Sequence, residues 1–162
     1  MHNKLINLSK EVLQICISLN ITISSAESCT GGLIAQYLTS HSGSSNIFLG
    51  GFVTYSNDSK IKLLNVKKDT INNFGAVSEN TVIQMSEGAK NILNSDISVA
   101  VSGIAGPKGG SLDKPIGLVH HCISTAKGIN IHKKIIYKGD REAIRNKTAE
   151  TIFNMILDQV NK

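Results

Sequence analysis

Leu5, Leu8, Val12, Ile15 and Leu19 recur at steps of three and four residues, which predicts an amphipathic helix over residues 3–18. The period then changes. Ile21 to Ala26 is short and β-branched, as a buried strand would be, and Leu33 to Leu38 returns to helical character after two glycines. A Ser/Gly loop from Ser40 to Asn46 leads into a second strand, Ile47 to Tyr55. Within it the Gly50-Gly51 pair marks a bulge or a close backbone approach. Short helices are expected over 57–64 and Lys68–Phe74. Ser78 is placed to cap a longer helix reaching about Leu93, with Val82, Met85 and Ala89 on one face. Ile97 to Ser102 is the continuous apolar run of a strand covered on both sides. Ile116–Ile123 and Ile129–Tyr137 read as a hairpin around an Ala-Lys-Gly turn, and a final helix runs from about Arg141 to Val160.

Helices alternating with strands, closed by a hairpin, predict an α/β fold: a three-layer α/β/α arrangement with a mixed sheet of about five strands. No linker, repeat or low-complexity segment interrupts the pattern, so residues 1–162 are expected to form one domain. With 41% hydrophobic and 18% charged residues, the composition suits one core and excludes disorder.

The net charge of +5 permits anionic partners. The basic residues are scattered, however, and Phe, Tyr and Trp make only 4% of the chain, too few for a stacking platform for single strands. A small anionic ligand is therefore expected rather than nucleic acid. No apolar stretch approaches membrane-spanning length, and no signal-peptide run opens the sequence, so a cytoplasmic protein without membrane association is expected. Cys16, Cys29 and Cys122 are odd in number and lack CxxC spacing, which argues against a disulfide framework and a zinc knuckle.

Several strong signatures are missing: Gly-x-Ser-x-Gly, Walker A, His-Glu-x-x-His and a full Gly-x-Gly-x-x-Gly. Ser111 and Lys114 have Ser-x-x-Lys spacing but lie among glycines before Pro115, where the helix that would align them is not expected. The densest cluster is Ala26-Glu-Ser-Cys-Thr-Gly-Gly32, at a strand-to-helix junction, where backbone N–H groups are left unpaired. Ser28 there would sit beside its own oxyanion hole, with donors from Thr30 or Gly31, and Gly32 would admit close approach. An N-cap with ordinary glycine packing would use the same residues. Cys29 is a rival nucleophile, although neighbouring side chains on such a turn diverge.

The histidines offer no obvious base. The alternative is Lys60, after the second strand, whose end would lie beside Ser28 in a parallel arrangement. To accept a proton at neutral pH its pKa must fall by about three units, by desolvation or a nearby cation. Tyr55 could relay the proton or orient the lysine. Gly103-Ile-Ala-Gly-Pro-Lys-Gly-Gly110 follows a core strand, and its amides, including those at Gly103, Ala105, Gly106 and Gly109, suit an anion nest to which Lys108 or Lys114 adds charge. Arg141 and Arg145, the two arginines of the chain, share one face at the start of the last helix, where an anion bound between them would explain their pairing.

These blocks resemble the CinA C-terminal domain family. They are 26–32, Gly-Gly-Phe-Val-Thr-Tyr-Ser-Asn (50–57) with Lys60, Gly-Ala-Val-Ser-Glu (75–79), Ser-Gly-Ile-Ala-Gly-Pro (102–107), Lys-Pro-Ile-Gly (114–117) and Gly-Asp-Arg (139–141). They run in order through nearly the whole chain. Ser102, where threonine is common, and Lys108, where the loop usually carries a small residue, are mild departures. The resemblance implies metal- and cofactor-free hydrolysis of nicotinamide mononucleotide to nicotinate mononucleotide and ammonia, with Ser28, Tyr55 and Lys60 as the catalytic trio. It also implies a homodimer. A nucleotide-binding regulatory module that does not hydrolyse its ligand is the alternative.

Overall fold

In the computed structural model, which describes residues 2–161, helices and strands alternate as the periodicity requires. The order is α1 (His2–Leu19), β1 (Ile23–Glu27), α2 (Leu33–Thr39), β2 (Phe48–Val53), α3 (Asn57–Leu64) and α4 (Lys68–Phe74). Then come α5 (Glu79–Leu93), β3 (Ile97–Gly103), β4 (Leu118–Thr125), β5 (Asn130–Ile136) and α6 (Arg141–Val160). Ser56, Ser78 and Asp140 cap α3, α5 and α6 through their side-chain oxygens. Asn20, Asn65 and Asn94, at φ of 53°, 56° and 51°, close α1, α3 and α5 in the left-handed region.

Strand ends differ from the periodicity by a few residues, for local reasons. Thr22 gives its amide and hydroxyl to the Asp96 carboxylate, so β1 begins after it. Gly117 adopts a φ of 91° and donates to Ile104, which delays β4 to Leu118.

The sheet order is β2-β1-β3-β4-β5. β1 runs parallel to both β2 and β3, and β3, β4 and β5 pair antiparallel. The β1/β2 register skips Leu49, which places a bulge beside Gly50. At Gly51 a Cβ would lie 2.4 Å from Ser25 Oγ, so the two strands tolerate no side chain there.

The two faces of the sheet are packed differently. Ile23, Val99, Val101, Val119 and Ile123 meet α1, α2 and α6 in a large aliphatic core. On the opposite face Ala26, Ala100 and Cys122 are small, and α5 comes down close to them through Val82, Met85 and Ala89. Gly88 of α5 touches the end of α3: a Cβ there would lie 2.0 Å from the Leu64 carbonyl oxygen. The chain leaves β1 for β2 on one side and later places β3 on the other, so the C-terminal ends of the three parallel strands open a crevice.

Candidate active site

That crevice is a cavity of about 260 Å³ at the ends of β1, β2 and β3. Strand alternation continues past Glu27, because the Ser28 amide still donates to Val101. Ser28 therefore faces α3, and Cys29 turns back into the aliphatic core. Lys60, in the first turns of α3, is 1% exposed, and its Nζ lies 3.1 Å from Ser28 Oγ and 2.7 Å from the Thr54 carbonyl oxygen. Burial pulls the Lys60 pKa down to about 8. Burial pushes the Cys29 thiol up to about 12, which leaves it protonated and unreactive at neutral pH. Of the two rival nucleophiles, only the hydroxyl has an amine beside it.

The turn after Ser28 is not arranged as the sequence suggests. Gly31 donates its amide to the Ser28 carbonyl, and Gly32 donates to Glu27 Oε2. Both glycines are thereby removed as donors to a substrate. Of the amides from Ser28 to Ala35, only those of Cys29 and Thr30 lack an acceptor among the described residues. Glu27, which the sequence analysis left without a role, is 1% exposed and takes the Thr30 hydroxyl together with the amides of Gly32, Ile34 and Ala35. The available signal was an acidic residue ending a strand at a core-facing position, which has to find donors.

At the mouth, Tyr55 is 61% exposed and its hydroxyl accepts from Arg141 Nη2 at 2.7 Å. It makes no hydrogen bond with Ser28 or Lys60 among the described residues, so a direct relay is not assembled here. Arg141 Nη1 also donates to the Gly106 carbonyl and ties α6 to the glycine loop. Gly103, Ala105, Gly106, Lys108 and Gly109 all line the cavity. The amides of Ala105, Gly106 and Gly109 have no acceptor among the described residues, as an anion nest requires.

Arg145 does not share this cavity. It directs Nε and Nη2 to the Thr30 carbonyl, at 3.2 and 2.6 Å, and borders a separate cleft with Leu33 and Tyr37. Arg141 borders that cleft as well, so the two arginines donate to different carbonyls, Gly106 and Thr30, while sharing one cleft outside the Ser28 cavity. Lys114 reaches the Phe74 carbonyl, and its amide meets Ser111 Oγ, so the Ser-x-x-Lys pair is a turn. His120 pairs with His132, His121 with Tyr137 and His41 with Ser9, all outside the cavity lining. Among the described residues no group of three His, Cys, Asp or Glu side chains could hold a metal ion, and no helix is long and apolar enough to cross a membrane.

The CinA C-terminal domain model matches residues 5–160. Among relatives, the chain is 43% identical over 143 residues to the nicotinamide-nucleotide amidohydrolase PncC of Escherichia coli K12, covering 88% of this chain and 87% of that protein. It is 48% identical over 145 residues to a CinA-like protein of Fervidobacterium nodosum, covering 90% of this chain and 35% of that one. The chain thus spans about a third of the length of such CinA-like relatives. The crystal structure of the competence/damage inducible protein CihA from Agrobacterium tumefaciens superposes with a TM-score of 0.94 at 42% identity, covering 98% of this chain and 96% of that one. The chain belongs to the CinA C-terminal domain family.

Proposed function

We propose that this chain is an amidohydrolase that converts nicotinamide mononucleotide to nicotinate mononucleotide and ammonia, with Ser28 as nucleophile and Lys60 as its base. The observation that carries the reading is a buried lysine amine 3.1 Å from a serine hydroxyl at the inner end of a cavity. The 43% identity to an amidohydrolase named for nicotinamide nucleotides supports the substrate class.

Neutral Lys60 has two N–H groups and one lone pair. One N–H is taken by the Thr54 carbonyl, which leaves the lone pair free to accept the Ser28 proton. Serine oxygen attacks the carboxamide carbon, and the proton passes to Lys60. The tetrahedral oxyanion is held by the amides of Cys29 and Thr30, the two of the turn that remain unengaged. Collapse breaks the C–N bond, and Lys60 returns its proton to the departing nitrogen, which leaves as ammonia. Water, deprotonated by the same amine, then cleaves the acyl ester and restores Ser28. The substrate's phosphate is assigned to the glycine-loop amides, with Arg141 and Lys108 beside them. Tyr55, released from Arg141 when the phosphate binds, would close over the carboxamide.

Ammonia release from nicotinamide mononucleotide, measured on the wild type and on Ser28→Ala, tests the reading. Rapid release by the wild type and loss in the variant are expected. Tight binding of the nucleotide without ammonia would leave a regulatory binding module instead.

A further inference from the structure

We propose that Glu27 and Arg145 are positioning residues that grip the Ser28–Gly32 turn from its inner and outer sides, and so decide which amides are left for the oxyanion. The inference rests on the hydrolytic reading above and adds to it two residues that touch no substrate.

Glu27 is the last residue of β1 and stands immediately before the nucleophile. Its carboxylate is enclosed by five donors: the Thr30 hydroxyl at 2.7 Å, the amides of Gly32 at 3.0 Å, Ile34 at 3.1 Å and Ala35 at 2.9 Å, and, more distantly, the Ser25 hydroxyl at 3.5 Å. It forms no ion pair among the described residues, so these donors carry the whole compensation for burying it. The residue preceding α2, Gly32, has no side chain with which to cap the helix. Glu27 performs that task from the strand, and the start of α2 is thereby tied to the backbone that carries Ser28.

Arg145 works from the other side. Its two-pronged contact with the Thr30 carbonyl comes from α6, 115 positions away in sequence. Thr30 is thus held at its hydroxyl by Glu27 and at its carbonyl by Arg145, while its amide, like that of Cys29, is left without a partner among the described residues. With Gly32 drawn onto Glu27 and Gly31 onto Ser28, donor selection follows from the grip itself.

Two variants test this. Glu27→Gln keeps the shape but turns one acceptor oxygen into an amino group facing donors, and Arg145→Lys gives up the forked contact. In Glu27→Gln, kcat for ammonia release from nicotinamide mononucleotide should fall by about thirtyfold with KM changed by less than about threefold. The pH midpoint of kcat/KM should stay where Lys60 sets it. Arg145→Lys should lose about tenfold in kcat, and the double variant should lose less than the product, because both act through Thr30. A folded Glu27→Gln enzyme with wild-type kcat, or with KM alone raised, overturns the proposal. If that variant does not fold, Arg145→Lys is judged by the same readings.

Amide hydrogen exchange supplies a readout independent of turnover. Protection at Gly32, Ile34 and Ala35 should drop in Glu27→Gln while β1 keeps its own. Unchanged protection overturns the proposal, whereas a wild type that releases no ammonia defeats the functional reading and leaves the exchange result standing.

Discussion

Ser28 and Lys60, at the inner end of the cavity, are 8% and 1% exposed, whereas Tyr55 at its mouth is 61% exposed and is held through its hydroxyl by Arg141. The two regions face the same cavity but sit in different dielectrics. Inside, burial lowers the amine's pKa to about 8, so its neutral form, the one able to accept a proton, becomes accessible near neutral pH. At the mouth, the solvent-exposed Arg141 guanidinium presents a planar set of donors that suits recognition of an anion. Variants of the inner pair should therefore act on kcat, and variants of the mouth on KM.

The largest effect is expected from Ser28→Ala: kcat lower by at least about a thousandfold, roughly 4 kcal/mol of barrier, with a thermal midpoint close to wild type. Steady-state ammonia release and calorimetry check this, and turnover that survives the change would break the comparison at its inner end.

Lys60→Met should follow, with kcat/KM reduced by about a hundredfold or more and a thermal midpoint that rises. The rise follows from linkage. The folded pKa of about 8 lies below the usual value, so the unfolded chain binds more protons between these limits and stability increases with pH through that window. Below pH 8 the buried lysine costs about 3 kcal/mol, which methionine does not incur. The stability gap should close as pH approaches 10.5. In the wild type, kcat/KM should climb with a midpoint near 8, and a flat profile from pH 6 to 9 would exclude Lys60 as the base.

Arg141→Gln should raise KM for the mononucleotide by about tenfold with kcat within about threefold, and the loss should shrink for the riboside, which has no phosphate. A fall in kcat without a rise in KM would erase the distinction between mouth and interior. Cys29→Ala should do least: kcat within about twofold and about 1 kcal/mol of stability lost from a small core vacancy, read by denaturant unfolding.

The layers, the adjacency of β1 and β2 and the meeting of Ser28 with Lys60 were legible in the chain, since period and burial reveal which elements pack and which strand ends adjoin. The partners of polar atoms were not. Nothing in the spacing of Arg141 and Arg145 tells that one meets Gly106 and the other Thr30, because those contacts cross 35 and 115 residues. Gly31 looked like an open donor because a sequence does not reveal that the Ser28 carbonyl has already claimed its amide. The second strand was expected to run through Tyr55, yet β2 ends at Val53 and leaves Tyr55 exposed beyond it.

Gly88 stands far from any reacting atom, but the bare backbone there lets α5 rest directly on the carbonyl that ends α3. The N-terminal end of α5 follows the Ala76–Val77 stretch of the cavity wall, and α3 carries the amine. The two helices are therefore keyed like a hinge without play, and a methyl group added at that single point would reach the chemistry as misalignment rather than as contact.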